Sequence, residues 1–208
     1  MAKGWQAGLK PVVAAAVCLW VANTSLFSAS DPQNTKILAH RGLHQTYVGP
    51  PPRNDTCTAS PIADPTHGFI ENTLPSMAAA FDMGADVVEI DIHLTTDGQF
   101  AVFHDWTLDC RTNGTGQTNA ATMATLKSLD VGWGYQTEDG RFALRGTGVG
   151  AIPSLKEVFA AFPDGQFLIN FKSNNPVEGT ELAAFIESAN TEPLIFGVYG
   201  GARPVETF

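Results

Sequence analysis

Four short apolar runs in this chain end in polar or charged side chains, and helix-forming segments separate most of them. The polar ends are His40 with Arg41, Glu89 with Asp91, His104 with Asp105, and Asn170 with Lys172. Apolar strands that alternate with helices are typical of a parallel α/β sheet. In a (β/α)₈ barrel the C-terminal strand ends meet on one rim, where loops converge into a site. The sequence therefore predicts an α/β protein with one polar site at that rim.

The run VVEIDIHL, residues 87–94, constrains the chemistry of that site. Successive side chains of a strand point to opposite faces, so Glu89, Asp91 and His93 share one face. Two carboxylates held side by side on a buried strand repel each other and need a cation. Paired oxygen ligands suit Ca²⁺ or Mg²⁺. From these residues alone, an edge strand with its acidic face in water is the alternative.

Capping residues mark the predicted helices. One helix has Thr73 as its N-cap and Gly84 as its stop. Ser154 and Glu157 have the spacing of a capping box, and a further helix is predicted to start after Thr180. The predicted order is β, α, β, β, α, β, α, β.

Two irregular segments interrupt this order. Residues 43–69 are rich in proline and predict a lid or cap, and residues 112–151 are rich in glycine and predict an excursion over the surface. Cys57 lies in the Pro-rich segment, and Cys110 lies two residues before the Gly-rich segment. In an exported chain such a pair favours a disulfide, and two free thiols are the alternative.

The N-terminal segment has the features of an export signal. Lys3 and Lys10 precede an apolar stretch that is followed by small residues near Ser30. We expect residues 1–30 to be a signal peptide and residues 31–208 to form the folded domain of an exported protein, periplasmic or extracellular. Alternatively, residues 11–27 stay uncleaved and associate with a membrane as an anchor.

Composition and net charge limit the classes of molecule that this protein can bind. The 208 residues are 44% hydrophobic, enough for one sizeable core, and the formal net charge is −9. This charge argues against nucleic acid as a partner, because nucleic-acid surfaces require clustered lysine and arginine. A small anionic substrate must therefore be bound by a local cationic site, and no protein partner is inferred.

Several motifs together resemble one family, the glycerophosphodiester phosphodiesterases. The matching pieces, in order, are AHRG (39–42), ENT (71–73), GADVVEIDIHLTTDG (84–98), VFHD (102–105), IPSLKEV (152–158) and FLINFK (167–172). The resemblance implies a TIM (β/α)₈ barrel of the phosphodiesterase type and a divalent metal, Ca²⁺ or Mg²⁺. It also implies hydrolysis of glycerophosphodiesters to glycerol 3-phosphate and an alcohol.

The resemblance further implies roles for individual residues. Glu89 and Asp91 match metal ligands. Asn170 stands where the family usually has a third carboxylate ligand. An amide oxygen can bind Ca²⁺ or Mg²⁺ but carries no charge, so we expect a weaker metal site than in relatives with glutamate there.

The same resemblance assigns the catalytic groups. His40 and His104 match the acid and base pair, and Arg41 and Lys172 match the phosphate-binding cations. Phosphodiester hydrolysis needs proton transfer to and from oxygen and neutralisation of the phosphoryl charge, which these residue types supply. Glu71 is expected to orient a catalytic residue or support its loop.

The chain is shorter than the about 250 residues of a complete barrel. We count about five of the eight β/α units and expect the chain to be a fragment of a longer enzyme or a truncated product. Two functional alternatives stay open: a phospholipase D-like enzyme that acts on sphingomyelin or lysolipids, and a non-catalytic binding protein that keeps half of the barrel.

Overall fold

A computed structural model of the chain describes residues 35–53 and 56–200. The predicted signal or anchor segment lies outside the described residues. All elements below belong to the compact unit that begins at Lys36. Within the described ranges, no helix combines the length and the apolar character that crossing a membrane requires.

The described chain contains five strands and four α-helices. In chain order they are β1 (Leu38–His40), α1 (Leu74–Asp82), β2 (Val87–Leu94), β3 (Phe100–Val102), α2 (Met123–Lys127), α3 (Leu155–Ala161), β4 (Phe167–Phe171), α4 (Val177–Ala189) and β5 (Ile195–Gly200). Short 3₁₀ turns cover Thr118–Ala120 and Glu192–Leu194.

The strands form one sheet in the order β1-β2-β4-β5, and each neighbouring pair in this series is parallel. Strand β3 pairs with β2 in the antiparallel direction, whereas a parallel arrangement was expected. The connection between β2 and β3 explains this difference, because it spans only Thr95–Gln99 and a parallel crossover needs about a dozen residues.

The helix signals were largely correct. Ser154 and Glu157 form the predicted capping box at the start of α3. Thr73 occupies the N-cap position of α1, but its hydroxyl donates to the carbonyl of Ile70 instead of accepting from the helix. Helix α4 begins at Val177, earlier than predicted after Thr180, because Pro176 fixes the backbone for the first turn.

Two apolar cores support the sheet. The first lies between β2, β4 and the helices and includes Ile90, Ile169, Phe167 and Leu155. The second lies under the two irregular segments and includes Ile62, Phe103 and Tyr135. The Gly-rich segment is therefore not only a surface excursion, since it shares a buried core with the Pro-rich segment.

A disulfide also joins the two irregular segments. Cys57 and Cys110 are bridged, with Cα atoms 5.7 Å apart. Backbone hydrogen bonds from Ile62 to Gln136 and from Gln136 to Ala59 run beside this bridge. The predicted lid and the predicted excursion thus form one cross-linked layer.

Candidate active site

Sheet register brings the polar strand ends together. His40 on β1 is paired with Glu89 on β2, and Asp91 is paired with Asn170 on β4. Asn170 is in turn paired with Tyr199 on β5. Residues that lie up to 159 positions apart in the chain therefore meet on one side of the sheet, as the strand-end pattern predicted.

A cleft of about 930 Å³ opens at these strand ends. Five of the predicted site residues line it directly, namely His40, Arg41, His104, Asn170 and Lys172, and so does Glu71. Residues of the Pro-rich segment also reach it, including His44, Tyr47, Arg53 and Thr58, and so does Trp106, which follows β3. Glu89 and Asp91 are almost fully buried, with 1% and 0% exposure.

Asp91 is the most heavily bonded group of the site. Its Oδ1 accepts a hydrogen bond from the Asn170 amide at 2.8 Å and lies 3.6 Å from Lys172 Nζ. Its Oδ2 accepts from the Asn72 amide at 3.0 Å and lies 3.0 Å from Arg41 Nε. Burial alone raises the pKa of Asp91, but Arg41, His104 and Lys172 outweigh it and hold the pKa below its ordinary value. Asp91 is therefore a buried, ionised carboxylate.

Glu89 has a different environment although it lies on the same face of β2. Its Oε1 accepts a hydrogen bond from the Tyr199 hydroxyl at 2.7 Å, and its Oε2 lies 3.9 Å from Nε2 of His40. Burial, followed by repulsion from Asp91, raises the pKa of Glu89 to about 7. Of the two carboxylates on this face of β2, Asp91 is neutralised by neighbouring cations, whereas Glu89 has a raised pKa.

Two buried side-chain oxygens of the site are candidate ligands for a cation. Glu89 Oε2 and Asn170 Oδ1 are buried and have no hydrogen-bond partner among the described residues. Buried polar atoms are nearly always partnered, so these two oxygens call for a ligand. A carboxylate and an amide oxygen are ligands that Ca²⁺ and Mg²⁺ accept. Within residues 35–53 and 56–200, no group of three His, Cys, Asp or Glu side chains is arranged to hold a metal ion.

A chain of ion pairs links the two sides of the cleft. His104 Nδ1 lies 2.6 Å from Asp105 Oδ1, and Asp105 Oδ2 lies 2.9 Å from Arg111 Nε. Arg111 Nη1 lies 3.1 Å from Glu71 Oε2, and Glu71 Oε1 accepts a hydrogen bond from Arg41 at 3.0 Å. Arginines thus contact both oxygens of Glu71, and its orienting role stays a prediction.

The two carboxylates in this series of ion pairs, Glu71 and Asp105, stay ionised. Burial is the largest single influence and raises the pKa of Glu71 and Asp105, but Arg111 and His104, together with Arg41 at Glu71, outweigh it and hold both pKa values below their ordinary range. His40, in contrast, has a side chain that is 54% exposed. Partial burial and then Arg41 lower its pKa. His40 therefore favours the neutral imidazole.

Unusual backbone conformations place these side chains. Arg41 and Asn72 have φ angles of 60° and 57°, a region that residues other than glycine rarely adopt. Gly42 follows with φ of 73°, and a Cβ at this position would lie 2.3 Å from Ser76 Oγ. Glycine is required there, which explains the His-Arg-Gly sequence. Such strain concentrates at functional sites.

Sequence reasoning assigned no role to four residues that the structure brings into the site. They are Asn72, Asp105, Arg111 and Tyr199. Tyr199 could have been found, because it lies at the C-terminal end of a predicted strand. Nothing in the local sequence around Arg111 points to its burial, which depends on the fold of the irregular layer.

Comparisons with known proteins point to the same family that the motifs resemble. A family model described as the glycerophosphoryl diester phosphodiesterase family matches residues 40–188. A glycerophosphodiester phosphodiesterase of Caldanaerobacter subterraneus subsp. tengcongensis is 38% identical over 102 residues, which cover 49% of this chain and 39% of that protein. A lysophospholipase D of Homo sapiens is 32% identical over 142 residues, which cover 64% of this chain and 41% of that protein. The chain thus spans less than half of the length of these relatives.

Solved structures share the fold at low sequence identity. The phosphodiesterase of Oleispira antarctica in complex with the product sn-glycerol-3-phosphate is 24% identical, with a TM-score of 0.56, and the match covers 83% of this chain and 59% of that one. A glycerophosphodiester phosphodiesterase from Agrobacterium tumefaciens is 23% identical, with a TM-score of 0.55 and coverage of 81% and 59%. These likenesses bear out the expected fold class, the phosphodiesterase-type barrel.

Proposed function

The chain belongs to the glycerophosphoryl diester phosphodiesterase family, and on that premise we propose that it hydrolyses glycerophosphodiesters to glycerol 3-phosphate and an alcohol. One observation carries the proposal: two histidines and two cations, His40, His104, Arg41 and Lys172, line a single cleft above the ionised Asp91. The product named for the solved Oleispira antarctica structure supports the substrate class.

Phosphate binding is the first task of the site. Arg41 and Lys172 lie at the cleft with side chains that are 13% and 10% exposed, so their charges act with little screening by water. Arg41 is oriented by Glu71 and Asp91 on two sides of its guanidinium. These two cations neutralise the phosphodiester and the charge that develops on its oxygens.

Proton transfer is the second task. In the first step, His40 accepts the proton of a glycerol hydroxyl as that oxygen bonds to phosphorus. His104 donates a proton to the alcohol oxygen as its bond to phosphorus breaks. We assign the donating role to His104 because Asp105, at 2.6 Å from Nδ1, fixes the orientation of its ring. The roles reverse when water opens the resulting cyclic phosphate to glycerol 3-phosphate.

A divalent ion completes the proposed site. Glu89 and Asn170, with their unpartnered oxygens, and the charge of Asp91 would hold Ca²⁺ or Mg²⁺. When bound, the ion supplies further positive charge for the phosphodiester and acidifies an attacking hydroxyl. Export of the protein remains part of the proposal, with the disulfide as its structural support.

A second substrate class has a specific observation in its favour. The relative from Homo sapiens is named a lysophospholipase D. Lysophospholipids present the same phosphodiester with a longer apolar group. The exposed Trp106 at the cleft offers an apolar surface to such a group.

The test is an assay of the purified 208-residue chain with added Mg²⁺ or Ca²⁺. Glycerophosphocholine, lysophosphatidylcholine and sphingomyelin are supplied separately, and glycerol 3-phosphate and choline are measured. We expect glycerol 3-phosphate from the first substrate. Release of choline alone, from the lipids only, would support the phospholipase D alternative.

Variants of the two histidines complete the test. General acid–base catalysis contributes about 10²- to 10⁴-fold, so His40→Ala and His104→Ala should each lower kcat by about this factor. His67→Ala is the matched control, since this histidine does not line the cleft. Turnover that survives either cleft substitution would exclude the assigned roles. Binding of substrate without turnover by the wild-type chain would support the non-catalytic alternative.

A further inference from the structure

Arg111 is a fully buried guanidinium, 1% exposed, outside the set of residues that line the cleft. Its partners are the carboxylates of Asp105 and Glu71, at 2.9 and 3.1 Å. It also donates hydrogen bonds to the Tyr135 hydroxyl at 2.7 Å and to Thr58 Oγ1 at 2.5 Å. A buried cation is tolerated only when it is paired and hydrogen-bonded, and Arg111 meets both conditions.

The two carboxylates that bind Arg111 each hold a cleft residue with their other oxygen. Asp105 uses Oδ1 for His104, at 2.6 Å, and Oδ2 for Arg111. Glu71 uses Oε1 for Arg41, at 3.0 Å, and Oε2 for Arg111. One guanidinium is therefore linked through two carboxylates to both a histidine and an arginine of the cleft.

The disulfide fixes the backbone on both sides of this contact. Cys110 directly precedes Arg111, and Cys57 directly precedes Thr58, so the bridge joins the residues next to the Arg111–Thr58 hydrogen bond. The Asp105–Arg111 ion pair lacks hydrogen-bond geometry and thus restrains direction weakly by itself. The bridge and Thr58 supply the missing restraint.

We propose that Arg111, fixed by the Cys57–Cys110 disulfide and Thr58, is a positioning residue that orients His104 through Asp105 and Arg41 through Glu71. The catalytic part of this statement rests on the proposed function, whereas the orientation of His104 does not. Arg111 touches no substrate, and its effect passes through the two carboxylates.

The kinetic test compares Arg111→Lys and Thr58→Val in the wild-type and His104→Ala backgrounds. Lysine keeps the charge but cannot span two carboxylates. Loss of an outer partner of a catalytic group typically lowers activity about 10- to 100-fold, so we expect a fall in kcat of this order for Arg111→Lys and a smaller one for Thr58→Val. In the His104→Ala background the part of each effect that passes through Asp105 should disappear, because residues that act as one unit are not additive, and only the part that passes through Glu71 and Arg41 should remain.

The second readout does not depend on activity. In the wild-type chain, the Nδ1 proton of His104 lies in a short contact with Asp105 and should give a downfield, slowly exchanging nuclear magnetic resonance signal. We expect this signal to broaden or vanish in Arg111→Lys and in Thr58→Val. Arg141→Lys is the matched control, because Arg141 also pairs with two carboxylates, Asp64 and Asp139, but is exposed.

The outcomes separate the two proposals. An inactive wild-type chain with a His104 signal that responds to Arg111→Lys refutes the proposed function and supports the positioning role. An unchanged His104 signal in both variants overturns the positioning role, as does an equal loss of kcat in the wild-type and His104→Ala backgrounds. If Arg111→Lys does not fold, as judged by circular dichroism, Thr58→Val decides by the same criteria.

Discussion

The side-chain amide of Asn170 donates a hydrogen bond to Oδ1 of Asp91 across 2.8 Å. This bond joins neighbouring strands β4 and β2 at paired positions of the sheet. It also turns the amide oxygen of Asn170 away from any described partner. Asn170 thus donates to one acidic residue through its nitrogen, while its buried oxygen has no hydrogen-bond partner among the described residues.

Asn170→Glu should have opposite effects without and with metal. Without metal, the substitution replaces a donor by a second carboxylate beside Asp91, and like charges at this separation repel. We therefore expect the melting temperature of the variant, measured in the presence of a chelator, to be lower than that of the wild-type chain. With metal, we expect a lower Kd for Mg²⁺ or Ca²⁺ by calorimetry, because a charged ligand replaces a neutral one.

Asn174→Glu is the control for the added charge, because Asn174 is exposed and follows the C-terminal end of β4, the strand that carries Asn170. An unchanged or weaker metal affinity of Asn170→Glu would contradict the proposed role of position 170 as a ligand.

Arg41→Lys should weaken catalysis through phosphate binding. The guanidinium contacts Glu71 and Asp91, both at 3.0 Å, and a lysine cannot make both contacts and still face the cleft. A hydrogen bond to a charged group contributes about 1.5 to 3 kcal/mol, so we expect kcat/KM to fall roughly 10- to 100-fold. The fall should come mostly from a higher KM for glycerophosphocholine.

Arg141→Lys serves as the control here too, because its guanidinium is 54% exposed and forms its ion pairs away from the cleft. A kcat/KM of Arg41→Lys equal to that of Arg141→Lys would exclude Arg41 as the phosphate-binding arginine.

Tyr199→Phe should destabilise the fold in the absence of metal. The tyrosine hydroxyl donates the 2.7 Å hydrogen bond to Glu89, whose side chain is 1% exposed. Leaving a buried acceptor without its donor costs about 1 to 3 kcal/mol. Urea unfolding at pH 8, above the raised pKa of Glu89 of about 7, measures this loss on the ionised carboxylate.

Tyr47→Phe is the matched control, a tyrosine of the same cleft lining without a hydroxyl bond to Glu89. Equal unfolding free energies of Tyr199→Phe and the wild-type chain would show that the bond contributes nothing to stability.

Acidification should destabilise the chain through Glu71 and Asp105. Burial raises the pKa of each carboxyl group, but the neighbouring arginines and His104 together lower it by more than burial raises it. Both pKa values in the folded state therefore lie below the ordinary 4.5 of glutamate and 3.8 of aspartate. Below about pH 5 the unfolded state therefore binds more protons than the folded state, and stability falls as pH drops. We expect the melting temperature to fall steadily from pH 5 to pH 3.

Glu71→Gln should flatten this dependence, although it lowers stability at pH 7 by leaving Arg111 and Arg41 partly unpaired. Asp64→Asn is the control, since Asp64 is 82% exposed and its ion pair should add little. A slope for Glu71→Gln as steep as that of the wild-type chain would refute this assignment.

Local patterns in the sequence predicted the strands, most helix ends and the rim at which the polar residues meet. Local rules were sufficient for these features: alternation set the faces of β2, the capping box set the start of α3, and strand ends set the positions of His40, Glu89, Asp91, His104 and Asn170. The same residues carried the family resemblance, which the comparisons support.

The pairing of the charges, and the lack of a hydrogen-bond partner for some buried oxygens among the described residues, follow from the three-dimensional packing. Asp91 and Glu89 are equivalent in the sequence pattern, yet one is surrounded by Arg41, Lys172 and two amides and the other is bonded to Tyr199. Arg111 is buried because the disulfide and the second core fold the irregular segments over it. These outcomes depend on contacts between residues far apart in the chain, and no local periodicity encodes such contacts.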